Sequence, residues 1–135
     1  MKRGITAGSF DLLHPGHILM FKECKEVCDY LIVALQSDPT IDRPEKNKPI
    51  QSIDERKEML DALRFVDEII LYDTEDELYK LLQTLPITIR ILGADWKGQR
   101  FTGDDLPLEV YFNSRNHSHS TNALRRRVYE AEVKK

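Results

Sequence analysis

The chain has 135 residues, 41% hydrophobic and 32% charged, with a formal net charge of −3. That length predicts a single domain, 1–135, with a real core, and the acidic balance argues against the broad basic face of general nucleic-acid binders. No apolar run approaches a membrane span and Met1-Lys2-Arg3 opens no signal-peptide core, so a cytoplasmic protein is expected.

The first predicted element is a short buried strand, Gly4-Ile5-Thr6-Ala7. It runs into Gly8-Ser9-Phe10-Asp11-Leu12-Leu13-His14-Pro15-Gly16-His17, and Ile18 to Cys24 then reads as a helix. A small-residue turn between strand and helix leaves free backbone N–H groups at the positive end of the helix dipole, where phosphate can sit. Pro15 suits a first helical turn, and Gly16 leaves room for a ligand beside the backbone. The pattern describes an anion cradle with two imidazoles, His14 and His17, facing it. Cys24 and Cys28 share one helix face and read as small buried hydrophobes, since a metal would need two more ligands nearby.

Asp29 to Asp38 carries a continuous apolar run, as expected of a central parallel strand buried on both faces, and ends on the rim residues Gln36, Ser37 and Asp38. Pro39 to Gln51 is a polar loop holding Arg43, Lys46 and Lys48. Ser52 and Glu55 form a capping box that opens the second helix, whose apolar stripe is Met59, Leu60 and Leu63. Glu68 to Leu71 is the third strand, Glu75 to Leu82 the third helix, Thr88 to Leu92 the fourth strand and Leu108 to Phe112 the fifth. A last helix, Ala123 to about Val133, takes Ser120 as its cap. Alternating strands and helices predict an α/β fold with a parallel sheet, and ligands in such folds bind beyond the carboxyl ends of the strands.

The segment from Gly8 to His17 resembles the H-x-G-H signature of the nucleotidyltransferase superfamily. Its ten-residue form is similar to that of the cytidylyltransferase family, above all the glycerol-3-phosphate cytidylyltransferases. Three further landmarks follow in family order. Lys46-Asn47-Lys48 resembles a Lys-x-Lys in a mobile loop over the triphosphate, Arg64-Phe65-Val66-Asp67-Glu68-Ile69-Ile70 resembles Arg-Tyr-Val-Asp-Glu-Val-Ile, and Gly93-Ala94-Asp95-Trp96-Lys97-Gly98 resembles Gly-x-Asp-Trp-x-Gly. Arg115 to Asn122 matches the family's second motif at an arginine, a serine and a threonine. It also fits the looser adenylyltransferase pattern closed by Arg125.

The resemblance implies a Rossmann-like α/β/α fold with a five-stranded parallel sheet in the order 3-2-1-4-5, and a homodimer. It implies transfer of CMP from CTP to a small phosphorylated alcohol such as glycerol 3-phosphate, with ATP as the alternative donor. Mg²⁺ would accompany the triphosphate on phosphate oxygens, with Asp11 the candidate carboxylate, and no metal site made by the protein alone is expected. His14, His17 and Lys48 are the implied catalytic residues. Ser9, Phe10, Asp11, Gly16, Lys46, Asp95, Trp96, Arg115, Ser118, His119, Ser120, Thr121 and Asn122 join them in nucleotide binding, with Arg115 beside the base. Asp38, Lys46, Arg56 and Arg64 are the implied acceptor residues, while the acceptor lysine of the family is Leu78 here. Two rival readings use the same residues: a zinc site between the pairs His14/His17 and His117/His119, and a nucleotide-binding module without catalysis.

Overall fold

The computed structural model describes residues 1–135. Its strands are β1 (Arg3–Gly8), β2 (Tyr30–Gln36), β3 (Glu68–Tyr72), β4 (Ile89–Leu92) and β5 (Glu109–Phe112). They form one sheet in the order β3-β2-β1-β4-β5, with every neighbouring pair parallel. The helices are α1 (Pro15–Val27), α2 (Ile53–Asp61), α3 (Glu75–Thr84) and α4 (Thr121–Val133). Fold class and strand order are those implied by the resemblance. No helix is long and apolar enough to cross a membrane.

Two cores lie on opposite faces of the sheet. Phe21 and Cys24 of α1 and Leu60 of α2 pack with Ile89 and Ile91 on one face. Leu78 and Leu82 of α3 pack with Ile5, Ile32 and Tyr72 on the other. Both cysteines are free and buried, as expected. The strand order reverses at β1, leaving a crevice between the carboxyl ends of β1 and β4.

Side-chain chemistry sets the element ends. α1 starts at Pro15, three residues before the apolar stripe, because His14 is its N-cap. Ser52 and Glu55 close the predicted capping box of α2, with hydrogen bonds of 3.1 and 2.9 Å. α3 continues to Thr84, two residues before Pro86. α4 begins at Thr121 because Ser120 caps it through Ala123 N–H at 3.0 Å. Asp67 accepts from Lys25 Nζ at 2.6 Å and from Leu31 N–H at 2.8 Å, tying α1 to the start of β2.

Candidate active site

The turn between β1 and α1 is strained: Phe10 has φ 47° and Leu12 has φ 53°. Left-handed backbone costs a bulky residue about 1–3 kcal/mol, so surrounding contacts must hold it. Asp11 supplies one set, its carboxylate accepting Ile50 N–H at 2.8 Å and Gln51 N–H at 2.9 Å. Phe10 is buried against Phe21 and lies edge-on to His17. Both Asp11 oxygens are thus engaged in anchoring the long loop.

The two imidazoles are oriented by the backbone. His14 Nδ1 accepts Gly16 N–H at 3.0 Å, and His17 Nδ1 accepts His14 N–H at 3.2 Å. An Nδ1 that accepts leaves the proton of the neutral ring on Nε2, so both rings present Nε2–H as donors. His14 Nε2 lies 3.2 Å from Thr121 Oγ1 at the start of α4. Burial, then His14, lowers His17 to about 4. Burial, then His119 and His117, lowers His14 as well. Both are neutral donors at pH 7. A Cβ at Gly16 would lie 2.7 Å from the His14 ring and 2.9 Å from that of His117, so only glycine lets the two histidine pairs close on each other. Although the pairs do approach, no three His, Cys, Asp or Glu side chains form a metal-holding group.

Two cavities meet at this point. One, of about 240 Å³, is bordered by His14, Gly16, Asp95, Arg115, His119 and Ser120. The other, of about 420 Å³, runs past Ser9, Phe10 and Asp11, takes in Lys46, Asn47 and Asn122, and continues down the α3 side of the sheet. His17, Met20, Gly93 and Thr121 border both. Arg115 is held at the smaller cavity by Asp95 at 3.4 Å and by the His119 carbonyl at 3.1 Å. Asn47 Nδ2 donates to Asn122 Oδ1 at 3.3 Å, so the long loop touches α4 across the mouth of the larger cavity.

Several residues singled out from the sequence lie elsewhere. Trp96 borders the larger cavity, with the Arg43 guanidinium 5.5 Å over its ring, rather than the smaller cavity beside Arg115. Lys48 borders neither cavity and points its ammonium at Asp38, 3.9 Å away, leaving Lys46 as the loop lysine at the site. Asp38 caps the turn Pro39–Ile41 through Thr40, outside both cavities. Arg64 stacks over Phe65, and Ser118 is exposed, neither bordering a cavity. Arg56 is buried and donates only to carbonyls: Ser9, Gln36 and Ser37 through Nη1 and Nη2, Gln51 and Ser52 through Nε. Four of its five N–H groups are thus spent on the backbone, the Nε–H shared between two carbonyls, and it borders neither cavity.

Arg90 escaped the sequence reading. It is 5% exposed in the middle of β4 and borders the larger cavity. Its Nε is wholly buried without a partner. A buried unpaired cation costs several kcal/mol, which makes Arg90 the least compensated charge in the protein. The available signal was an arginine at the centre of Ile-Arg-Ile-Leu, a run that otherwise reads as a doubly buried strand.

The sequence model of one family, cytidylyltransferase-like, matches residues 5–126. The chain is similar to the glycerol-3-phosphate cytidylyltransferase of Staphylococcus aureus, at 33% identity over 99% of this chain and 100% of that protein. It is 34% identical to the bifunctional protein HldE of Campylobacter concisus over 94% of this chain but 27% of that protein, so it spans about a quarter of that relative. A third relative is the FAD synthase of Aciduliprofundum boonei, at 38% identity over 72% of this chain and 64% of that protein.

The histidine geometry makes stability depend on pH. His17 stays neutral down to about pH 4 when folded, whereas it takes up a proton near its ordinary 6.5 when unfolded. The unfolded state therefore binds more protons between these values. The His17 contribution is complete above pH 6.5 and is lost as pH falls, by about 2 kcal/mol between pH 7 and pH 5. Urea unfolding should show this loss in the wild type and a shallower one in His17→Gln. Parallel pH profiles for the two proteins would refute it.

Proposed function

The chain belongs to the cytidylyltransferase-like family, and on that footing we propose that it transfers CMP from CTP to a small phosphorylated alcohol, of which glycerol 3-phosphate is the simplest. The observation that carries this reading is the pair of neutral Nε2–H donors where the two cavities meet. The nucleoside occupies the smaller cavity, with Arg115 beside the base. The acceptor and the β- and γ-phosphates share the larger one.

A phosphate oxygen of the acceptor attacks the α-phosphorus, forming a new P–O bond as the bond to the β-phosphate oxygen breaks and pyrophosphate leaves. The nucleophile is already an anion, so no general base or covalent intermediate is needed, and catalysis is positioning plus charge stabilisation. His14 and His17 donate to phosphoryl oxygens whose charge grows in the transition state. The N-termini of α1 and α4 add free N–H groups, and Lys46 adds a cation from the loop. Mg²⁺ fits as an ion carried by the triphosphate, since such ions keep waters and phosphate oxygens as ligands, and Asp11, which borders the larger cavity, would keep lone pairs for it beyond its two amide bonds. When bound it neutralises phosphate charge. The same reading includes a single domain and a homodimer.

Adenylyl transfer from ATP is the second reading, supported by the FAD synthase relative, whose product contains an adenine nucleotide. Cytosine has a carbonyl that the Arg115 guanidinium can meet with directed hydrogen bonds; adenine has none. Pyrophosphate release with CTP and with ATP, over a panel of phosphorylated alcohols and sugars, tests the assignment. CTP should be the better donor, and Arg115→Ala should weaken CTP use while sparing residual ATP use. ATP turnover tenfold above CTP would overturn it.

Two further outcomes follow from the geometry. His14→Ala and His17→Ala should each lower turnover about 100- to 1000-fold, with nucleotide affinity changed far less, the loss usual for one transition-state donor. Near-normal turnover in either variant would refute the proposed chemistry. The loop from Pro39 to Gln51 meets α4 through one exposed amide pair, so bound triphosphate should slow its proteolysis. Equal cleavage with and without saturating CTP and ATP would contradict a closing loop.

A further inference from the structure

The two buried arginines are opposites. Arg56 spends its donors on five backbone carbonyls, which explains its presence without any ligand. The Arg90 side chain makes no hydrogen bond and no ion pair within the protein, although it is almost as deeply buried. Its Cα pairs with Ile5, three residues before Gly8. At the strand rise this is about 10 Å down from the phosphate-facing turn. Alternation along β4 sends Ile89 and Ile91 into the core on the α1 face, so Arg90 points to the α3 face, where the larger cavity descends.

Few groups face it there. Tyr72, on β3, contributes a hydroxyl that has no hydrogen-bond partner, and Leu78, on α3, is apolar. The nearest carboxylate is Glu75, which lies beyond ion-pair distance from Arg90. Its oxygens are held by Arg43 at 3.5 Å and Thr102 at 3.2 Å. A guanidinium with its planar fork free, at the end of an open cavity, is a receptor for a planar or tetrahedral oxyanion.

We propose that Arg90 forms an anion subsite at the far end of the larger cavity, and that the acceptor carries a second oxyanion, a carboxylate or phosphate, at the end remote from its reacting phosphate. This rests on the reading of the larger cavity as the acceptor site. It narrows the acceptor from phosphorylated alcohols in general to phosphorylated polyhydroxy acids or bisphosphates. Arg90 is a binding and specificity residue here, since it lies too far down the strand to touch the α-phosphate.

The test measures binding by calorimetry in wild type saturated with a non-hydrolysable CTP analogue. The probes are pairs matched in length: glycerol 3-phosphate against 3-phosphoglycerate, erythritol 4-phosphate against 4-phosphoerythronate, and sorbitol 6-phosphate against 6-phosphogluconate. Glycerol 1,3-bisphosphate and sorbitol 1,6-bisphosphate supply the phosphate-ended arm. At one length or more, an anion-ended probe should bind at least tenfold tighter than its hydroxyl-ended partner, and the better arm identifies the oxyanion. Arg90→Met should abolish that preference, leave affinity for the CTP analogue within twofold, and melt no lower than wild type, since it removes an uncompensated buried charge. Equal binding within every pair would overturn the proposal, as would an Arg90→Met variant that loses the nucleotide or melts lower. Because no turnover is measured, a preference without pyrophosphate release would refute the nucleotidyl-transfer reading alone. Release without a preference would refute the subsite alone.

Discussion

Five backbone carbonyls converge on the Arg56 guanidinium, and the placement of the phosphate-facing turn depends on that convergence. The carbonyls belong to the ends of β1 and β2 and the start of α2. These are strand ends and a helix entry whose polar groups would otherwise be buried without partners. Asp11 completes the frame from the other side by taking the Ile50 and Gln51 amides. Within it the backbone can hold Phe10 and Leu12 at positive φ, and that curvature brings His14 to the head of α1. A charged residue in a core is costly unless its donors are spent, and here four of the five N–H groups are.

Most of this architecture was legible in the sequence. Ser52 and Glu55 announced α2, Ser120 announced α4, and the apolar run after Asp29 announced the central strand, because capping and patterning are local. The histidine pair was legible for the same reason: His14, Gly16 and His17 interact with one another within a single turn of chain. Residues whose partners are distant were not. Asp11 read as a candidate metal-facing carboxylate, and its loop-anchoring role went unread because the amides it holds lie about forty positions further on. Arg56 read as an acceptor residue because backbone carbonyls at strand ends leave no trace in residue identity. Arg64 read as an acceptor residue, but it stacks on Phe65, while Asp67 in the same motif pairs with Lys25 of α1.

Trp96 and Arg90 show a further limit of one-dimensional reading, since each required knowing which side of the sheet a residue serves. Trp96 follows β4 and could equally have turned toward the nucleoside. The Arg43–Glu75 pair lies on the α3 side and offers its ring a cation there. Arg90 sits in a strand where every other position is apolar, so patterning alone did not single it out. Its charge becomes informative only when the neighbouring side chains are known and none of them answers it.

The neutrality of the two histidines bears directly on the proposed transfer. An imidazolium would attract the triphosphate strongly before reaction, and binding shared equally by ground and transition states does not raise turnover. A neutral Nε2–H makes a weaker bond to a ground-state phosphate oxygen and a stronger one as charge accumulates during transfer. Burial and the neighbouring histidines keep both rings in this state without ligand, while backbone amides fix which nitrogen carries the proton. The strained turn, the glycine that admits the second histidine pair and the N-cap role of His14 therefore serve one electrostatic end: donors oriented before the charge they stabilise appears.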